Sequence, residues 1–321
     1  MDPQKINTVL IIGMAGGLAQ ITAGLLLKSY PHLKIIGVDS RNINEQPTHK
    51  NIEYIKMRYT RGNFERLFRD KNFDCVFHLA RVSHADTSPL GTIEQRLNVN
   101  LIGTRRILDL CLKFSVSKVI ILSTYHVFGA LSDNPVFINE DHPLRASIKY
   151  PELRDVVEMD QIATNWMWKH QGGIETVVLR PCTIVGPTIK NTMTRYLITP
   201  YAPVCADFNP MFQFIHEFDM ASILKESIEK LPTGIYNVAT DETTTLKNAK
   251  EILDCPTIPI PSFILSSTAR LITTGFWSFP RYLIEYIKFA CIIDNGLLKA
   301  HLGNDFIRYK TKEALLLSKL D

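Results

Sequence analysis

The 321-residue chain lacks the marks of several protein classes. Its six cysteines, Cys75, Cys111, Cys182, Cys205, Cys255 and Cys291, lie far apart, with no CxxC pair and no Cys/His cluster at metal-ligand spacing. No zinc site or disulfide framework is indicated, no metal is expected, and a reducing cytoplasm is the natural setting. Charge of one sign is not in excess: 36 Lys and Arg against 32 Asp and Glu leave +4, too small and too dispersed for a nucleic-acid surface. No run of about 18 uncharged apolar residues occurs, so no membrane span is expected. The most apolar stretch, residues 257–293, carries Arg270, Arg281, Glu285 and Lys288 and reads as buried helices of a small second lobe. The opening MDPQKINTVLIIGMAGG has only a short apolar run after Lys5 and does not read as a signal peptide. Internal repeats and low-complexity linkers are missing as well.

What is present is alternation. Short β-branched runs at 8–12, 34–38, 75–79, 118–122 and 176–179 read as strands buried on both faces, and the segments 17–29, 61–70, 94–114 and 151–170 suit crossover helices. That rhythm predicts an α/β fold: a doubly wound, Rossmann-like parallel sheet over residues 1–187, with a smaller C-terminal α/β substrate lobe over 188–321 interleaved with it.

The first strand runs into Gly13-Met14-Ala15-Gly16-Gly17-Leu18-Ala19 and then a helix. A dinucleotide pyrophosphate needs one glycine for the tight turn, a second for close backbone approach and a small third residue for helix packing. Gly13, Gly16 and Ala19 fill those places, with Ala15 and Leu18 between them. Asp39 follows 20 residues after Ala19, at the end of the second strand, where a carboxylate accepts from the adenosine ribose and favours NAD. Arg41, two residues on, is a candidate phosphate partner, so NADP stays open.

The GxxGxxA spacing resembles the extended short-chain dehydrogenase/reductases, the group that holds NAD-dependent epimerases and dehydratases of nucleotide sugars. Six further segments agree in order: Asp74–Ala80, Asn100–Thr104 (NxxGT), Ser123–Gly129 (SSxxVYG in the family), Arg180-Pro181 with Val185-Gly186-Pro187, Gln213–Asp219 and Gly234–Ala239. The resemblance implies Leu79, Ala80, Arg81, Ser123 and Pro181 beside the cofactor. It also implies Arg195, Gln213 and Arg281 toward substrate phosphates, and a homodimer through the helices 94–114 and 151–170. His78, His216 and Asp219 read as structural, and Trp166 and Trp168 as core or dimer packing.

In that family a tyrosine exchanges the substrate proton, a lysine four residues later lowers its pKa, and a Ser or Thr orients the substrate oxygen. Thr124 fits the last role. The Tyr-Lys pair departs from the pattern: one register sets Tyr150 against Arg154, and the other puts Glu152 and Val156 in the two places. A guanidinium can stabilise a phenolate; a valine cannot. Tyr125 and His126 are further candidates for a proton carrier. Arg58 stands near where relatives keep an acidic residue against the adenine amino group, which arginine cannot accept. Two functions follow from the resemblance. One is a nucleotide-sugar epimerase or dehydratase. The other is a redox-inactive NAD(P)-binding sensor, scaffold or assembly subunit.

Overall fold

The β-branched runs form the centre of the molecule in the computed structural model, which describes residues 6–43, 49–80, 96–267 and 280–319. In chain order the elements that build the site are β1 (Thr8–Ile12), α1 (Gly17–Ser29), β2 (Lys34–Asp39), β3 (Ile52–Lys56), α2 (Arg61–Asp70), β4 (Cys75–His78), α3 (Thr104–Lys113), β5 (Lys118–Leu122), α4 (Arg154–Lys169), β6 (Glu175–Pro181) and β7 (Thr183–Val185). They are followed by α5 (Thr192–Ile198), β8 (Ala202–Cys205), β9 (Phe214–His216), α6 (Glu217–Glu226) and β10 (Gly234–Val238).

Seven strands make one sheet in the order β10-β6-β5-β4-β1-β2-β3, and every neighbouring pair is parallel. This is the doubly wound Rossmann-like architecture. The order reverses at β1, so the crevice for a ligand opens at the carboxyl ends of β1 and β4. Val9, Leu10, Ile11 and Ile12 are fully buried, with Ile11 in one core and Leu10 and Ile12 in the other, because helices cover both faces of the sheet.

Two elements differ from the sequence reading. β3 was not expected, since IEYIK is short and only half-buried at the sheet edge. The helix expected over 94–114 is not uniform: residues 94 and 95 lie outside the described residues, Leu97–Gly103 is a wide π-helical turn, and the regular helix starts at Thr104. That turn carries Asn100 inward, where its amide donates to Asp155 of α4 at 2.8 Å. The later chain also returns to the main sheet, because β10 pairs with β6.

Candidate active site

The glycine turn is built by steric necessity. Gly13 has φ +94°, and a Cβ there would stand 2.8 Å from the Ala80 amide nitrogen. Only glycine meets both conditions. Gly16 caps α1 without a side-chain bond, so the amide end of a 13-residue helix faces the crevice, as anion binding requires. Gly17 packs on Thr188: a Cβ on Gly17 would lie 2.0 Å from the Thr188 hydroxyl oxygen. Thr188 is held in turn by Glu217, its Oγ1 donating at 2.6 Å and its amide at 3.1 Å to the same carboxylate oxygen. Burial pushes the Glu217 carboxyl up despite those two bonds.

Asp39 ends β2 with its carboxylate buried. Oδ1 accepts from the Arg41 amide at 3.0 Å and Nε at 3.1 Å; Oδ2 accepts from Arg41 Nη2 at 3.0 Å and the Ala15 amide at 3.1 Å. Burial alone would raise this carboxyl, but the bonds and charge of Arg41, with the Ala15 amide, hold it below the ordinary carboxylate range.

A cavity of about 400 Å³ collects most of the predicted cofactor residues, with Thr124: Gly13, Ala15, Gly16, Leu18 and Arg41 at one end, Leu79, Ser123, Thr124 and Pro181 further along, while Asp39 and Ala80 are not part of its lining. Thr124 caps the short turn Tyr125–Val127, its hydroxyl accepting from the His126 amide at 3.4 Å. Ser123 donates to the buried Asp160, which pairs with Arg180 through Nη2 at 2.7 Å and Nε at 3.0 Å. This network pins the end of β5 to α4 and β6. The residues present suit a dinucleotide: a glycine where a Cβ would collide and an uncapped helix end line the cavity, and the carboxylate that ends β2 stands just outside the lining, bonded to Arg41, which is part of it.

His126 also lines the cavity, its ring 4.7 Å from Tyr286 and 5.8 Å from Tyr282. The Tyr125 hydroxyl is engaged with Thr183 at 3.0 Å, and burial, outweighing that bond, carries its phenol well above the usual value. Burial likewise pushes the cavity-lining Cys182 up to about 12, so it stays a thiol.

The remaining candidates do not converge here. Tyr150 and Arg154 are not among the cavity-lining residues. Tyr150 is buried beside Glu285, and burial followed by that negative charge raises its phenol far above its ordinary value, the reverse of what a proton-exchanging tyrosine needs. Arg154 is exposed and paired with Glu158 one turn along α4. The YxxxR register therefore brings no phenolate and guanidinium together. In the other register, Val156 is core and Glu152 accepts from the Tyr282 amide at 3.1 Å. Gln213, expected toward substrate, is spent on the backbone: its amide donates to Thr240 O and Ile293 O, and its carbonyl accepts from the Ile293 amide. Arg195 and Arg281 are exposed and outside the cavity lining, and Arg81 lies outside the described residues.

Thr183, Thr188, Lys190, Asn191 and Met193 line the cavity and were not anticipated. They follow the end of β6, where sequence offers only the Val185-Gly186-Pro187 motif as a signal. His78 is structural, as expected, with Nε2 2.8 Å from Thr104 Oγ1. His216 caps α6 through Nδ1, and Asp219 accepts from the Arg308 and Tyr309 amides.

The chain belongs to the NAD dependent epimerase/dehydratase family, which matches residues 9–239. An uncharacterized protein of Mycobacterium tuberculosis is 23% identical over 307 residues, 94% of this chain and 80% of that one. Among solved structures, a dTDP-glucose 4,6-dehydratase of Bacillus anthracis in complex with NAD matches with TM-score 0.73 at 17% identity, covering 97% of this chain and 95% of that one. A UDP-glucose 4-epimerase of Thermotoga maritima with UDP-glucose matches with TM-score 0.73 at 19% identity, covering 97% of both. Among the described residues, no helix is long and apolar enough to cross a membrane, and no group of His, Cys, Asp and Glu could hold a metal ion.

Proposed function

We propose that the protein binds NAD in this cavity and acts on a nucleotide sugar by transient hydride transfer, in the cytoplasm. The observation that carries this is the single cavity running from the Gly13–Leu18 turn past Ser123 and Thr124 to Thr183 and Asn191. Gly13, Ala15, Gly16 and Leu18 would hold the pyrophosphate against the α1 amides, Asp39 the adenosine ribose, and Leu79, Ala80, Ser123 and Pro181 the nicotinamide half. Bound NAD supplies a carbon that takes and returns a hydride; the protein supplies position and proton transfer. Thr124 orients the substrate oxygen, and His126 moves the proton, because the neighbouring Tyr125 and Cys182 are kept protonated by burial. Lys190 at the cavity, with Arg195 and Arg281 on the second lobe, meets the substrate phosphates. The exposed apolar Ile102 in the turn before α3, Leu112 on α3 and Trp168 on α4 support a homodimer through these elements.

A second reading is supported by one observation: among the described residues the cavity is lined by no Tyr-Lys or Tyr-Arg pair of helical spacing. On that reading the protein binds the dinucleotide and the sugar nucleotide without redox chemistry, as a sensor or assembly subunit. Incubating purified protein with NAD and a panel of uridine- and thymidine-linked sugars separates the two. Sugar conversion or transient reduced-nicotinamide absorbance, lost in Thr124→Ala and His126→Phe, is the expected result. NAD binding with neither signal would leave the second reading standing alone. Sedimentation showing only monomer would remove the dimer.

A further inference from the structure

Glu217 is a buried carboxylate with no cation beside it. It opens α6, is 1% exposed, and among the described residues no ion pair reaches it. Its hydrogen bonding runs through one oxygen: Oε2 accepts from the Thr188 hydroxyl and amide, while Oε1 accepts from no described residue. The backbone makes room for this group, since Gly186 has φ +155° and a Cβ there would stand 2.6 Å from Oε2. A glutamine would accept the same two bonds without burying a charge, so holding Thr188 does not by itself account for a carboxylate.

The carboxylate stands one hydroxyl away from the phosphate turn. Thr188 Oγ1, which donates to Glu217, is also the atom that a Cβ on Gly17 would strike, and Gly17 is the first residue of α1. The two helices run side by side in the same direction: they meet through Thr188 at their starts, and past their ends Tyr30 donates to Glu229. An anion at the α1 amides and the ionised Glu217 therefore repel each other across one side chain, where burial leaves little water to screen them. The other titratable groups nearby do not offset this. His216 and Asp219 flank Glu217; burial lowers the His216 pKa, and Asp219 accepts from the Arg308 and Tyr309 amides. Helix α1 has no charged residue before Lys28 and β7 has none, while Lys190, after Thr188, is exposed and makes no ion pair with Glu217.

We propose that Glu217 sets the affinity of the phosphate turn through its proton: an anion bound at the α1 amides draws a proton from solvent onto Oε1, the oxygen that accepts no bond, and the ionised carboxylate opposes that anion. Oε2 keeps both Thr188 bonds in either state, so the wall of the cavity stays in place and only the charge changes. Burial already pushes this carboxyl above its ordinary value, with the two Thr188 bonds holding it back. The inference rests on the dinucleotide reading above, and a comparison with Glu217→Gln keeps the two apart.

Titration calorimetry of the full chain with NAD, run from about pH 5 to about pH 8 in buffers of high and low ionisation enthalpy, counts the protons taken up. Anion binding raises the Glu217 pKa, so uptake of up to about one proton per NAD is expected between the free and the bound value. Across that window NAD affinity should rise by about tenfold as pH falls, and it should be flat on either side. Glu217→Gln keeps an acceptor for Thr188 but loses the charge. Its uptake should vanish, and at the top of the range it should bind NAD about tenfold more tightly than the unaltered protein, a gain that a merely structural role would not give. Thr188→Val removes one bond that favours the ionised form, so the window should move to higher pH. No uptake by the unaltered protein, the same uptake in Glu217→Gln, weaker NAD binding in Glu217→Gln, or an unmoved window in Thr188→Val would overturn the proposal and leave NAD binding intact. No NAD binding anywhere in the range would overturn the dinucleotide reading and the proposal with it. A thermal melt of each variant confirms folding.

Discussion

Asp160 of α4 and Arg180 of β6 form a bidentate ion pair with both side chains almost wholly shut off from solvent, and Ser123 donates to the same carboxylate. Arg180 also donates from Nη1 to the Glu140 carbonyl at 2.8 Å and lies over the Phe128 ring. The pair therefore fixes the strand end from which Ser123 and Thr124 enter the cavity.

Asp160→Ala leaves a buried guanidinium without its partner, and the expected cost is about 3–5 kcal/mol. Urea unfolding measures it. A loss below about 1 kcal/mol would mean that the pair is replaceable and does not fix the strand end.

Gly13→Ala meets two independent penalties: a positive φ and a Cβ at 2.8 Å from the Ala80 backbone, which has no side chain to move aside. Strain of this kind costs about 1–3 kcal/mol. Calorimetry should show NAD affinity reduced by about tenfold or more, since a tenfold loss corresponds to only ~1.4 kcal/mol. An affinity like that of the unaltered protein would move the pyrophosphate elsewhere.

Tyr150→Phe and Arg154→Ala are expected to leave NAD affinity unchanged. Arg154 makes an exposed ion pair, so its removal should alter stability by less than about 1 kcal/mol. The Tyr150 hydroxyl lies against the Glu285 carboxylate, so deleting it should cost no more than about 1–3 kcal/mol of stability and leave the cavity untouched. If either change cost binding, the Tyr150–Arg154 register would return as part of the site.

His78 gives a pH signature. Burial lowers its pKa from 6.5 to about 4, so the folded protein keeps the ring neutral where the unfolded chain protonates it. Its contribution is fully present above pH 6.5 and is lost as pH falls toward 4. At ~1.4 kcal/mol per pH unit that amounts to about 3 kcal/mol. His78→Gln, which keeps a polar group beside Thr104 but cannot titrate, should show a flatter loss of stability across that window. An unchanged slope would place the acid sensitivity in other groups.

Much of the frame could be read before any coordinates. Thr8–Ile12 and Lys118–Leu122 form strands with the expected limits, because a strand buried on both faces must be apolar at consecutive positions. The Gly13–Ala19 turn and the place of Asp39 at the end of β2 were legible because a positive φ with close backbone approach admits only glycine, and because the second strand's apolar run stops at its one carboxylate. β3 was not, since an edge strand that is only half-buried imposes no apolar run. Gln213 misled for a different reason: a buried amide satisfied by three backbone groups has the same sequence signature as one aimed at a ligand. The Asp39–Arg41 pair lay in between. Both residues were visible, but only geometry shows that they bind each other.

The contact between Gly17 and Thr188 joins two segments that lie far apart in the chain. A side chain can enter position 17 only if position 188 gives up the atoms standing 2.0 and 2.3 Å away, and Thr188 is anchored by Glu217. In the descent of this protein the order of change is therefore fixed: position 17 can take a side chain only after position 188 has given up its own. Among close relatives, those that fill the first turn of this helix should carry glycine in place of the threonine.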